Sequence, residues 1–187
     1  MKKLSGALVL ALIASCSLPI IQDWRAPLLL GEVERAQLER GPYAEWFSEH
    51  YENYESESLI VRDLKAAFGD IEVSVYLGTW CGDTKKQLPR LFHLLDELAR
   101  DRVEIKLVGL DRDKVGPSGE EQAAGIHHTP TVIVRREGEE LGRIIETPVE
   151  SLERDLLKIV SGEPYVPHYQ ELEVKRGAAG QVGPLTP

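Results

Sequence analysis

Cys81 is the residue of this sequence best suited to chemistry, and its neighbours say why. It stands in Gly78-Thr79-Trp80-Cys81-Gly82-Asp83-Thr84, between a run of alternating apolar residues and a run with helical spacing, so it falls where a strand gives way to a helix. A helix start offers unsatisfied amides and the positive end of the dipole, and both favour a negative sulfur. Thr84, three residues on, is placed to donate its hydroxyl to a thiolate. Lys85 and Lys86 add positive potential in the same turn, which Asp83 opposes. A thiolate attacks a disulfide to form a mixed disulfide, or reacts with peroxide to a sulfenic acid. The alternative is a chemically idle cysteine in a fold used for binding.

The elements that must position it follow from hydrophobic periodicity. Ile71, Val73, Val75 and Leu77 alternate with Glu72, Ser74 and Tyr76 in a strand period that leads into Cys81. After it Leu88, Leu91, Phe92, Leu95, Leu98 and Ala99 recur at helical spacing over about four turns. Val103 to Leu110 is β-branched and apolar and reads as a second strand. Asp111 to Gly119 is a polar loop, with a short helix over Glu120 to Ala124. Thr131 to Arg135 and Leu141 to Glu146 read as a hairpin turning at Glu137-Gly138-Glu139. Val149, Leu152, Leu156, Ile159 and Val160 give the apolar face of a closing helix, ended by Gly162 and Pro164. The order is β-α-β-α-β-β-α, an α/β class with a central mixed sheet flanked by helices.

Before this core, residues 31–69 read as a helical extension. Tyr43, Trp46, Phe47, His50, Tyr51 and Tyr54 recur there at helical spacing, the pattern of a helix packed on the domain. Residues 70–161 form the domain, and residues 162–187, rich in proline and glycine, read as an irregular tail. A chain of 187 residues with 42% hydrophobic content accommodates one core plus appendages. Its net charge of −9 and the lack of a basic stripe argue against nucleic acid as a partner.

Residues 1–15 read as an export signal, with Lys2 and Lys3 preceding the apolar stretch Leu4 to Ala14. That stretch is too short to span a bilayer comfortably. It ends in Ile13-Ala14-Ser15-Cys16, which resembles the lipobox of bacterial lipoproteins, whose cysteine is lipidated and becomes the mature N-terminus. An uncleaved apolar anchor and a plain secretory signal are the other readings, and all three place the domain outside the cytoplasm. Residues 16–30 are then a tether between lipid and domain. With Ser17 after the cysteine, where an aspartate would resemble an inner-membrane retention signal, the resemblance implies the periplasmic face of the outer membrane. Lipidation of Cys16 leaves Cys81 as the one free thiol, since the chain has two cysteines.

The element order, with Trp80-Cys81-Gly82 at the first strand-to-helix junction, resembles the thioredoxin family over residues 70 to 161. Pro89, eight residues after the cysteine, matches the family's helix-kinking proline, and Thr129-Pro130 before a strand is similar to its cis-proline loop. The resemblance implies a thioredoxin fold in which Thr129 and Pro130 dock an extended substrate beside the sulfur and Trp80 covers it. His127 and His128, just before the loop, then stand where they can tune the thiolate or donate a proton; loop histidines in water are the other reading. The family's second cysteine is replaced by Thr84, and its buried acid before the first cysteine is replaced by Val75. A two-cysteine cycle therefore cannot close within the chain. The expected function is thiol-disulfide exchange through Cys81, resolved by a substrate thiol, a partner protein or a small thiol, against a non-catalytic binding module holding an envelope protein. No cofactor is expected. No metal is expected either: adjacent His127 and His128 rarely converge on one ion with Cys81, His93 reads as a surface or packing residue, and Asp111, Asp113, Lys114, Glu120 and Glu121 lack the spacing of a cation loop.

Overall fold

Strands β1 (Gly31–Val33), β2 (Ile71–Leu77), β3 (Val103–Gly109), β4 (Thr131–Arg136) and β5 (Glu139–Ile145) form one mixed sheet in the order β1-β3-β2-β4-β5. The computed structural model describes residues 26–99 and 103–170. The pair β2 and β3 is parallel, with Ile71 opposite Val103 and Leu77 opposite Gly109. The remaining pairs are antiparallel. Helices α1 (Arg35–Leu38), α2 (Ala44–Glu52), α3 (Ser58–Ala67), α4 (Gly82–Ala99), α5 (Glu120–Ala123) and α6 (Leu152–Ser161) flank it. This is a mixed α/β architecture, as the periodicity predicts.

The period of two decides which residues face which core. Val73, Val75 and Leu77 of β2, Leu107 of β3 and Val132 and Val134 of β4 enter a main core with Leu38, Phe47, Leu64, Leu91, Leu95 and Leu156 from the helices. Tyr76, Val108 and Ile133, on the other face, meet Leu110 and Ile126 in a smaller cluster. The four longer helices, α2, α3, α4 and α6, thus each bury a stripe in the main core. That layer carries most of the apolar stabilisation. The aromatic stripe of residues 43–54 packs as expected: the Phe47 ring lies 5.9 Å from that of Phe92 on α4 and stacks 6.0 Å from Tyr51.

Several sequence expectations are corrected. Residues 31–69 are not wholly helical, because Gly31–Val33 pairs with β3 as an edge strand, and they share the main core with the domain rather than extending from it. The tether does not reach Leu30: Tyr43 Oη donates to Pro27 O (2.7 Å) and Leu29 packs on the core. Leu29 O approaches the sheet so closely that a Cβ on Gly109 would lie 2.2 Å from it, which is why that position carries no side chain. The β4–β5 turn is the two-residue Glu137-Gly138, with φ of 53° and 78°, the hand that matches strand twist. Val149 precedes α6 and is exposed; its amide caps inward to the Asp155 carboxylate instead (2.6 Å). Helix α6 opens on Ser151, whose hydroxyl accepts from Arg154 N, and closes on Gly162 in the left-handed conformation.

Candidate functional site

Cys81 is held by the junction of β2 and α4. The chain leaves β2 at Leu77 and turns so that Cys81 N donates to Gly78 O (2.8 Å), while Cys81 O accepts the first helical bond from Lys85 N (3.1 Å). Cys81 is therefore the cap of an 18-residue helix, with Pro89 inside it. Its thiol is partly exposed. Sγ donates to Thr129 O at 3.1 Å, a contact across 48 residues that ties the helix start to the loop before β4. The Thr129-Pro130 peptide bond is cis, and both residues are buried.

Trp80 folds back against the end of β2. Its Nε1 donates to Leu110 O (3.0 Å), and a Cβ on Gly78 would lie 2.6 Å from the indole, so the glycine makes room for the ring. Arg112 and Lys114 lie over that ring, 5.5 and 5.9 Å from its centroid. Lys114 has a φ of 64°.

On the other flank of the loop, His128 and Glu146 meet. His128 Nδ1 lies 3.0 Å from Glu146 Oε1; the carboxylate accepts, so Nδ1 carries the proton in this pair. His128 Nε2 is buried without a partner. Glu146 N also donates to Pro130 O (2.7 Å), and Thr131 Oγ1 donates to His128 O (2.8 Å), so the loop is fixed from both sides. The Tyr169 ring stacks on the His128 ring at 4.3 Å and 9°. A hydrogen bond to Glu146, the negative charge of that carboxylate, burial and the more distant Asp83 push the Tyr169 phenol above its ordinary value.

The structure brings Cys81, Trp80, Thr129, Pro130, Asp83 and His128 to one end of the sheet, but Thr84 and His127 behave otherwise. Thr84 is fully buried and its Oγ1 accepts from Gly78 N (3.3 Å), so it secures the turn; no hydrogen bond joins it to the sulfur. His127 is exposed, while His93 packs at a distance with Nδ1 2.8 Å from Tyr51 O. Lys85 contributes its amide to the cap, and its side chain is partly exposed. The Asp111 carboxylate accepts from Asp113 N and Val115 N, so it shapes the loop. Cys16 lies outside the described residues. Sequence reasoning missed Glu146, Tyr169, Arg112 and Lys114, none of which carries a local motif.

What this arrangement offers chemically is one partly exposed sulfur at a helix start, the buried Thr129-Pro130 loop beside it, and no second thiol among the described residues. No helix among them is long and apolar enough to cross a membrane. No protein-family model matches the chain, and no curated protein matches it. Two solved structures are similar. One is a protein of unknown function from Pseudomonas aeruginosa, 20% identical, with a TM-score of 0.49 over 80% of this chain and 90% of that one. The other is an HIV epitope scaffold, 18% identical, with a TM-score of 0.43 over 73% of this chain and 79% of that one.

Proposed function

We propose that this chain is an envelope lipoprotein with a thioredoxin-like domain that performs thiol-disulfide exchange through Cys81. The observation that carries the reading is the 3.1 Å contact of Cys81 Sγ with Thr129 O beside a cis proline. It sets a helix-capping sulfur against a loop whose backbone, once uncovered, would pair with an extended chain. The sulfur, as thiolate, attacks one sulfur of a substrate disulfide; that S–S bond breaks, a Cys81–substrate disulfide forms, and the departing thiolate takes up a proton. An external thiol then attacks the mixed disulfide, forms a new disulfide with the substrate and returns Cys81 reduced. The net reaction exchanges one thiol for another and needs no further oxidant. Cys16 would hold the domain to the membrane by acyl chains, each buried methylene contributing about 0.8 kcal/mol.

One observation favours a second reading, a non-catalytic module that holds an envelope protein: the bond to Thr129 O requires the protonated thiol, which is not the nucleophile. The two readings part in one experiment. The full chain is incubated with glutathione disulfide, and the adduct on the Cys81 peptide is followed by mass spectrometry, with the denatured chain as reference. Exchange predicts that the folded chain forms the adduct about tenfold faster than the denatured one and that added thiol removes it. Slow labelling of the folded chain, with binding partners retained by Cys81→Ser, gives the module reading.

A further inference from the structure

The docking reading requires Thr129 and Pro130 to meet an incoming chain, yet Thr129 is only 3% exposed and Pro130 is buried as well. Some element beside them has to give way. Strands β4 and β5 are bound into the sheet by their ladders, and Cys81 is bound into the start of α4. Residues 163–170 are different. Glu163 N donates to Lys158 O, but past that bond the segment makes no backbone-to-backbone hydrogen bond among the described residues. Two tyrosines hold it instead. Tyr165 Oη donates to Asp155 Oδ2 (3.0 Å), a carboxylate that is fully buried and also takes the amides of Val149 and Glu150. Four residues on, Tyr169 stacks on His128, which with Glu146 fixes the docking loop, and its phenol feels the Glu146 carboxylate. Between them Val166 is 67% exposed. Tyr169 sits at a φ of 64°, a conformation unfavourable for an aromatic residue, which its ring contact holds in place.

We propose that residues 163–170 form a strap over the docking loop, with Tyr165 as its anchor and Tyr169 as the latch that decides whether an extended chain reaches Thr129 and Cys81. Small reagents meet the partly exposed sulfur directly; a polypeptide disulfide waits for the latch to open. The proposal rests on the docking role of Thr129-Pro130. A segment that joins the rest of the described fold through two tyrosine side chains, outside the sheet's ladders, opens at low free energy without unfolding the sheet, which is what a substrate gate needs.

The test uses the full chain, its Tyr169→Ala and Tyr169→Phe variants, and peptide mapping so that only Cys81 is counted. Three probes are compared: N-ethylmaleimide, a long polyethylene glycol maleimide, and a disulfide-linked pair of extended peptides. Tyr169→Ala should raise the polymer and peptide rates relative to N-ethylmaleimide by about fivefold, the loss of one aromatic stack. Tyr169→Phe, which keeps the stack and loses the hydroxyl, should fall between. Equal rate ratios in all three chains overturn the strap. If the maleimide ratios shift as expected while no chain reacts with the peptide disulfide, the strap holds and the exchange reading fails. If the peptide disulfide reacts equally well in every chain, exchange holds and the strap fails. Tyr169 lies on irregular chain and is 42% exposed, so neither variant threatens folding, and circular dichroism checks that.

Discussion

Gly78→Ala tests whether the indole of Trp80 belongs to the site's framework. A Cβ at residue 78 would sit 2.6 Å from Cε2 and Nε1 of the ring, a separation that real Cβ atoms do not show, so the ring must leave its place. Three interactions leave with it. The bond from Nε1 to Leu110 O (3.0 Å) is lost at a buried residue, costing about 1–3 kcal/mol. The contacts of Arg112 and Lys114 with the ring are each worth about 0.5–1 kcal/mol at a partly exposed site. The total of about 2–5 kcal/mol, at a slope of about 2 kcal/mol per molar urea, lowers the urea midpoint by about 1–2.5 M. Urea unfolding measures this, and the emission of Trp80 in a chain with Trp24→Phe and Trp46→Phe reports the ring. Gly82→Ala is the control: its Cβ meets nothing within 4 Å, so it should be neutral or stabilise by up to about 1 kcal/mol. A Gly78→Ala protein within about 0.5 kcal/mol of the parent, with unchanged Trp80 emission, refutes the reasoning.

Further outcomes follow from the same geometry. Thr84→Val leaves Gly78 N without its acceptor and should cost about 1–3 kcal/mol in urea unfolding, while the alkylation rate of Cys81 stays near that of the parent; a large change in that rate would return the hydroxyl to the sulfur. Burial first, then the charge of Asp155 and the bond to it, holds the Tyr165 phenol above its ordinary value. A group raised on folding contributes fully below its unfolded value and loses that contribution as pH rises toward the folded one, so stability should decline above about pH 10. Tyr165→Phe should flatten that alkaline decline in thermal melts from pH 7 to 11; an unchanged slope rejects the assignment. Cys16→Ser should abolish incorporation of labelled fatty acid and move the protein from the membrane fraction to the soluble periplasmic fraction, whereas retained label contradicts the lipid anchor.

The junction that presents Cys81 was legible because its signals are local: a strand period before it and a helical period after it. Strand β1 was not. Three residues cannot show alternation, and the preceding Leu28-Leu29-Leu30 has no period, so only the approach of Leu29 to Gly109 reveals the edge. The spacing of Thr84 correctly placed it near the turn, but spacing does not say which way a buried hydroxyl points, and Gly78 N claims it. The meeting of His128 with Glu146 depends on register, because Glu146 follows Ile145, the ladder partner of Thr131. Tyr169 depends on a chain reversal after α6 that a run of prolines and exposed residues leaves unmarked.

The two rims of the sheet are poor templates for another chain. At one rim β1 offers three residues, and at the other β5 carries an extra residue, Leu141, between the ladder partners Glu140 and Gly142, with Glu139, Glu140 and Arg143 along it. Tyr165 and Pro167 share a hollow with Leu141, Gly142 and Arg143, so the C-terminal segment runs beside that rim as well. Short length, a bulge and charge are the means by which natural sheets avoid joining edge to edge. Crowded copies of this chain therefore meet without a flat row of free amides and carbonyls, and sheet-to-sheet aggregation has to wait for a rim to unfold.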